Sequence, residues 1–309
     1  MSLLDNQGGI AHGSIRGGGG VGAAGGRTTP FEMQAALIPD QYKFKYKSAR
    51  ELASTVKRVS HSAHSWTADQ YFLYFHGVVD DEYDVIDREL CEVQLRSTVR
   101  LTFENALNAA ILRIIPGPGP SRVGINFYCM IVLKIPSIPG HSIESIEGFG
   151  ATLMQVPGVR SKEGDQSFGP GTRLGMNAWP SVMMEIGYSG GEDFLHLDAQ
   201  WWLMNSAGKI RFVILVTITM DPLELSIECW RMLESGRRET RQTPARIPTC
   251  VQDFNINTAG VVKSTMGSTE LRIPYDCIFD ERHGDPTDVV LSLAELASFA
   301  QRRFRHLEL

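Results

Sequence analysis

Two carboxylates stand where carboxylates are costly. Glu185 sits in the middle of Trp179–Tyr188, an otherwise apolar run that reads as a β-strand. Side chains alternate along a strand, so Val182, Met184, Ile186 and Tyr188 face one way and Met183, Glu185 and Gly187 the other. A buried charge requires a cation, a metal or strong hydrogen-bond donors. Asp165 lies upstream, across the turn Gly169-Pro170-Gly171. If the two segments form a hairpin, both carboxylates converge on one hard cation such as Mg²⁺, which takes oxygen ligands. The alternative is an acid paired with an arginine, for which Arg173 is near in sequence. A third carboxylate, Asp198, falls inside the apolar arc of a helix spanning Glu192–Asn205, between Trp201 and Trp202. There it calls for a hydrogen-bond partner, an indole N–H or an arginine, or else it supports the acidic site.

The elements that position these residues follow from the apolar spacing. A glycine-rich stretch over residues 1–30 buries too little apolar surface to offset its ordering entropy and reads as a flexible tail. A helix is expected around Ala49–Val59. A second, longer helical pattern runs over Val85–Ile115 and stops at Pro116-Gly117-Pro118-Gly119-Pro120. Ile125–Ile135, rich in β-branched and aromatic residues, predicts a strand. Short strands follow at Gly150–Val156, Asp165–Phe168 and Trp179–Tyr188, then the helix, with Phe194, Leu197, Trp201 and Met204 at helical spacing. Arg211–Thr219 is almost continuously apolar, as in a strand buried on both faces, and Leu225–Trp230 can pair beside it. Ser292 and Glu295 form a capping box for a final helix reaching about His306. Strand–strand–strand–helix–strand is an α/β order, predicting one domain over residues 40–309.

The order and the residues within it resemble a known superfamily. Trp179-Pro180-Ser181-Val182-Met183-Met184-Glu185-Ile186-Gly187-Tyr188-Ser189 resembles the P-x-x-x-E-[VI]-x-x-S core strand of PD-(D/E)XK, or restriction-endonuclease-like, proteins. Leu195-His196-Leu197-Asp198-Ala199-Gln200-Trp201-Trp202-Leu203 and Gly208-Lys209-Ile210-Arg211-Phe212-Val213-Ile214-Leu215 are similar to a lineage of uncharacterised fungal proteins of that superfamily. Leu271-Arg272-Ile273-Pro274-Tyr275 and the final helix give a weaker echo. The likeness implies a central mixed β-sheet flanked by helices, with a restriction-endonuclease-like αβββαβ core at about residues 145–231. It implies a divalent-metal (Mg²⁺) site at Asp165 and Glu185, where the metal would polarise a phosphate and activate water for cleavage of DNA or RNA. Two departures stand out. The superfamily places a lysine two residues after the glutamate, on the same strand face, and this chain has Gly187. The proline before the first acid is Gly164, within Gly164-Asp165-Gln166-Ser167-Phe168. Lys162 and Lys209 are candidates to supply the missing cation.

Three functions compete on this basis: a Mg²⁺-dependent nuclease, a catalytically degenerate nuclease fold that binds nucleic acid or protein, and a small-molecule enzyme on another α/β fold. A net charge of −5 argues against a general nucleic-acid coat while allowing a local basic groove. Arg237, Arg238, Arg241 and Arg246 read as a solvated loop, and Arg302, Arg303 and Arg305 suit the C-terminal end of a helix. The five cysteines show no paired spacing, so a disulfide framework or zinc site is not expected and a cytoplasmic or nuclear setting fits. His61 and His64 lack a ligand pattern around them. No run is long and apolar enough to predict a membrane span.

Overall fold

Alternating burial along strands and a 3.6-residue repeat along helices sort the described residues into two mixed sheets, a two-stranded antiparallel one, and the helices between and around them. The computed structural model describes residues 28–62, 70–78, 82–115, 117–175, 177–238, 244–281 and 286–307. In chain order the elements are α1 (Pro30–Leu37), β1 (Lys43–Lys45), α2 (Ala49–Ser62), β2 (Tyr71–His76), α3 (Tyr83–Glu92), β3 (Val99–Glu104) and β4 (Ala109–Ile114). Then come α4 (Gly119–Val132), β5 (Ile146–Gly148), β6 (Leu153–Val156), β7 (Arg160–Glu163), β8 (Gln166–Pro170), β9 (Val182–Tyr188) and α5 (Glu192–Asn205). The remainder is β10 (Phe212–Met220), β11 (Leu223–Arg238), β12 (Pro244–Asn257), β13 (Val262–Lys263), β14 (Glu270–Ile273), α6 (Tyr275–Ile278), β15 (Val289–Ser292) and α7 (Leu293–Leu307).

A six-stranded sheet has the order β1-β2-β4-β3-β7-β6, and a seven-stranded one the order β13-β12-β11-β10-β9-β8-β5. The second is mixed: β8 and β9 are antiparallel, whereas β9 and β10 are parallel and joined by α5. The chain is therefore an α/β protein with a mixed sheet between helices. Within it α4, β5, β8, β9, α5 and β10 run helix–strand–strand–strand–helix–strand, with β6 and β7 diverted into the other sheet. The diversion ends at Gly164 and Asp165, where the chain crosses from β7 in one sheet to β8 in the other.

The alternation along β9 is as its sequence dictates. Val182, Met184, Ile186 and Tyr188 join Phe127 of α4 and Phe299 of α7 in one core, while Met183 packs with Trp201 and Trp202 of α5 on the opposite face. The six-stranded sheet is two-faced as well. Leu101, Leu112 and Ile114 pack in the core formed with α2 and α3. On the other face Ile111 packs with Phe31 and Phe72, and Phe72 stacks on Phe194 of α5. Helix α5 thus lies between the sheets.

Four sequence expectations need correction. Val85–Ile115 is not a continuous helix: α3 ends at Glu92, and β3 and β4 form a hairpin turned at Asn108, whose φ of 45° is left-handed. Alternation of Val99, Leu101 and Phe103 against Arg100, Thr102 and Glu104 is the strand signal that a helical reading overrode. Ile125–Ile135 is not a strand: as far as Val132 it is the body of α4, which has Pro120 in its first turn and is buried along Val123, Phe127 and Ile131, and it ends in a short 3-10 turn. Folded chain also begins earlier than residue 40, because Thr29 caps α1 through a reciprocal bond with Glu32. The arginine-rich stretch is strand up to Arg238 and again from Pro244. Residues 1–27, most of the glycine-rich segment, lie outside the described residues, as do Arg241 and His64.

Candidate functional site

The face of the six-stranded sheet that meets α5 is not wholly apolar. The alternation that directs Ala109 and Ile111 of β4 toward that face directs Arg113 there too, and Arg100 and Thr102 of β3 and Lys162 of β7 follow the same parity. Glu185 of β9 and Asp198 of α5 approach from the other side, and Asp165 sits at the crossing between the sheets. The result is a cluster of three carboxylates and three cations at the seam of the fold.

Arg113 is its centre. Its Nη2 donates to Asp165 Oδ2 at 2.5 Å and to Glu185 Oε2 at 2.9 Å, and its Nη1 lies 3.6 Å from Asp198 Oδ2. The side chains of Arg113, Asp165 and Glu185 are 5%, 7% and 0% exposed. Asp165 Oδ1 accepts from Arg100 Nε at 3.0 Å, and Oδ2 also accepts from the Ile186 backbone N–H at 2.8 Å. Glu185 Oε1 accepts from the indole N–H of Trp202 at 2.6 Å. Asp198 is held by Lys162 Nζ and Gln34 Nε2, each at 2.7 Å. Every carboxylate oxygen but one has a donor within hydrogen-bond reach, and that one, Asp198 Oδ2, lies 3.6 Å from Arg113 Nη1, a buried donor with no hydrogen-bond partner of its own among the described residues.

The electrostatics differ between the two central acids. Burial works to raise Asp165, but Arg113, Arg100 and the Ile186 N–H outweigh it and hold the carboxyl below its usual range. Burial is also the largest influence on Glu185 and raises it. Arg113 and Lys162 pull it down, Asp165 and Asp198 push it back, and the net result is about 8. Burial disfavours the charged form of Arg113, and the surrounding Asp165, Glu185 and Asp198 overcome it, leaving the guanidinium more firmly protonated than usual.

The two glycines at the motif departures have a steric cause. A Cβ on Gly164 would lie 2.4 Å from Met183 Sδ and 3.4 Å from Trp202 Cζ2, so a side chain at the crossing would force Met183 to shift. A Cβ on Gly187 would lie 2.8 Å from Gln70 Oε1 and 3.2 Å from Leu195 Cδ1. The amide of Gln70 stands where the expected lysine would project.

Sequence reasoning brought Asp165, Glu185, Asp198 and Lys162 to this region, and all four are together. Asp198 does support the cluster, through Lys162 and Gln34 rather than an indole. Lys209 is elsewhere: it is exposed, with its Nζ 6.0 Å from the ring of Trp179. Arg173 is not the partner of Glu185 either, since it forks onto Asp280 at 2.6 and 2.8 Å. The residues missed were Arg113, Arg100, Gln34, Trp202 and Gln70. Arg113 had a usable signal, a lone cation in the run Ala109–Ile114 where every neighbour is apolar, the same oddity that drew notice to Glu185. No protein-family model matches the chain, and no curated protein does. The site must be judged on its chemistry.

A divalent ion would need the space between Asp165 and Glu185, with several oxygen ligands at about 2.0–2.6 Å. Arg113 Nη2 fills that space, and the oxygens that would turn to the ion accept hydrogen bonds instead. The residues present do not fit Mg²⁺. A cleft of about 380 Å³ lined by Arg100, Ser121, Arg122 and Gln166 reaches Asp165 from outside. Among the described residues no helix is long and apolar enough to cross a membrane.

Proposed function

We propose that the chain is a nuclease-like fold of the restriction-endonuclease type in which an arginine has taken the place of the metal, and that it serves as a binding module rather than as a phosphodiesterase. One observation carries this reading: Arg113 Nη2 donates to Asp165 and to Glu185 at 2.5 and 2.9 Å. The guanidinium lies between the two acids, and it offers no Lewis-acidic site to a phosphate and no bound water to activate. The helix–strand–strand–strand–helix–strand order, with the first acid at the entry to β8 and the second in mid β9, supports the nuclease-like part. Gly187 supports the inactive part, since it leaves the face of β9 beside Glu185 without the expected lysine.

The test is cleavage of plasmid, single-stranded DNA and RNA with Mg²⁺ or Mn²⁺, comparing wild type with Glu185→Gln. No cleavage by either protein is expected. Cleavage that Glu185→Gln abolishes would overturn the reading and restore Asp165 and Glu185 as metal ligands in a nuclease.

A further inference from the structure

The arginine-rich stretch that reads as a solvated loop is built into a ladder instead. The pairing of β10 with β11 stops at Val213 and Trp230, and β13 meets β12 only at Asn255 and Ile256. Beyond these limits residues 231–238 of β11 and 244–249 of β12 pair with each other alone. The ladder there runs from Arg231 with Thr249, through Glu234 with Arg246, to Arg238 with Pro244. The seven-stranded sheet thus narrows to a two-stranded ribbon, about 26 Å long at ~3.3 Å per residue. Opposed residues share a face. Leu233 and Ile247 lie on one face, Glu234 and Arg246 on the other, and all four are exposed. At these pairs neither side of the ribbon is covered by other described residues.

The two segments hold Arg231, Arg237, Arg238 and Arg246 against one acid, Glu234, on a chain whose net charge is −5. Arg246 stands opposite Glu234, yet its Nη2 donates to the Met232 carbonyl at 3.0 Å. Neither Arg246 nor Arg231 makes an ion pair among the described residues. Leu233 and Ile247 account for each other as a cross-strand pair that steadies the ribbon. Charge on an open ribbon keeps further strands from adding to it, but either sign serves that purpose. Pro244 and Pro248, with no N–H to offer, already blunt the β12 edge. Neither cause selects the positive sign; a polyanionic partner does.

We propose that this ribbon enters the major groove of B-form duplex DNA. That groove admits a two-stranded ribbon, whereas the deep, narrow major groove of duplex RNA does not. Guanidinium forks bond phosphate oxygens at the groove walls and guanine edges at its floor. The choice of DNA over an acidic protein rests on the nuclease-like binding-module reading above. The ribbon shares no residue with the Arg113 cluster, so each can be altered without touching the other.

The experiment is fluorescence anisotropy of a labelled DNA duplex, the RNA duplex of the same sequence and the DNA single strand. Each is titrated with the full chain over a range of salt, with a poly-glutamate peptide as a parallel probe. If all four arginines meet phosphates, the log–log salt slope on duplex DNA is about −3.6, from ~0.9 per contact. Duplex DNA should bind at least tenfold more tightly than duplex RNA. Arg231→Gln/Arg246→Gln should raise the DNA Kd at least tenfold and bring the slope to about −1.8. Arg231→Lys/Arg246→Lys should keep the slope, and circular dichroism should be unchanged in both. DNA binding indifferent to the glutamine variant overturns the ribbon while leaving a binding module elsewhere on the fold. Equal binding of duplex RNA or of the single strand overturns insertion into the major groove, and equal binding of poly-glutamate overturns the nucleic-acid assignment. Wild type that binds no probe at low salt overturns the proposal outright while Arg113 keeps its role. Ribbon-dependent binding accompanied by Mg²⁺-dependent cleavage upholds the ribbon and overturns the binding-module reading instead.

Discussion

Replacing Arg113 by methionine removes the charge and both hydrogen bonds while keeping much of the apolar stem. The structure says which acid suffers. Asp165 keeps Arg100 Nε and the Ile186 N–H, whereas Glu185 keeps only the Trp202 indole. At pH 9, above the value of about 8 at which Glu185 ionises, the substitution therefore strands one fully buried carboxylate, a situation that costs about 3–5 kcal/mol. Glu185 can reduce that cost by taking up a proton, so the loss should be larger at pH 9 than at pH 5. In Arg113→Met/Glu185→Gln the stranded charge is gone, and the pair should couple by about 1–3 kcal/mol relative to the sum of the single changes. Arg113→Lys should fall between, because an ammonium cannot reach Asp165, Glu185 and Asp198 together as the guanidinium fork does. Urea unfolding followed by tryptophan fluorescence measures all of these. At pH 9, a loss below about 1 kcal/mol for Arg113→Met, or strict additivity with Glu185→Gln, would refute the assignment of Arg113 as the cation that both acids share.

Three further predictions concern the same seam and its surroundings. Glu185 is raised from 4.5 to about 8, so between those values the folded state holds a proton that the unfolded state releases; stability should fall as pH rises through that window, and Glu185→Gln should flatten the fall in thermal-melt midpoint against pH. A wild-type slope retained in Glu185→Gln would assign the effect to another group. Gly164→Ala should cost about 1–3 kcal/mol by overpacking against Met183, and less in a Met183→Ala background, as read from denaturant midpoints. His196 Nε2 donates to the Glu228 carboxylate and is raised above its usual value, chiefly by that bond. Its contribution is present in full below about pH 6.5 and lost as pH rises through the folded-state value, so His196→Ala should destabilise more at pH 5.5 than at pH 9; equal losses at the two pH values would contradict this.

Much of the second half of the chain was legible because local and tertiary signals agree there. The helix Glu192–Asn205 has the bounds read from its spacing, and the capping box of Ser292 and Glu295 is made by bonds of 2.9 and 3.3 Å. The first half misled where side-chain type and position disagree. Ile125 of α4 and Leu133 at its C-terminal cap are exposed, the latter 71% exposed, so the apolar run hides its helical period behind a strand-like composition. The acids of the cluster were legible because each is a charge in an apolar setting. Their partners were not, since Arg113 and Arg100 lie 72 and 65 residues from the acids they bind, and no local pattern specifies which strands of two sheets will face each other.

The crossing at Gly164 and Asp165 has a consequence for how the molecule opens. Six ionisable side chains from both sheets, the crossing and α5 satisfy one another only while those parts stay together; parting them exposes every member at once and returns each to water unpaired. Partial separation gains little solvation and loses nearly all the pairing. The seam should thus act as an all-or-none latch, and amides of β4 and β9, though in different sheets, should exchange with deuterium in a single step at the same free energy.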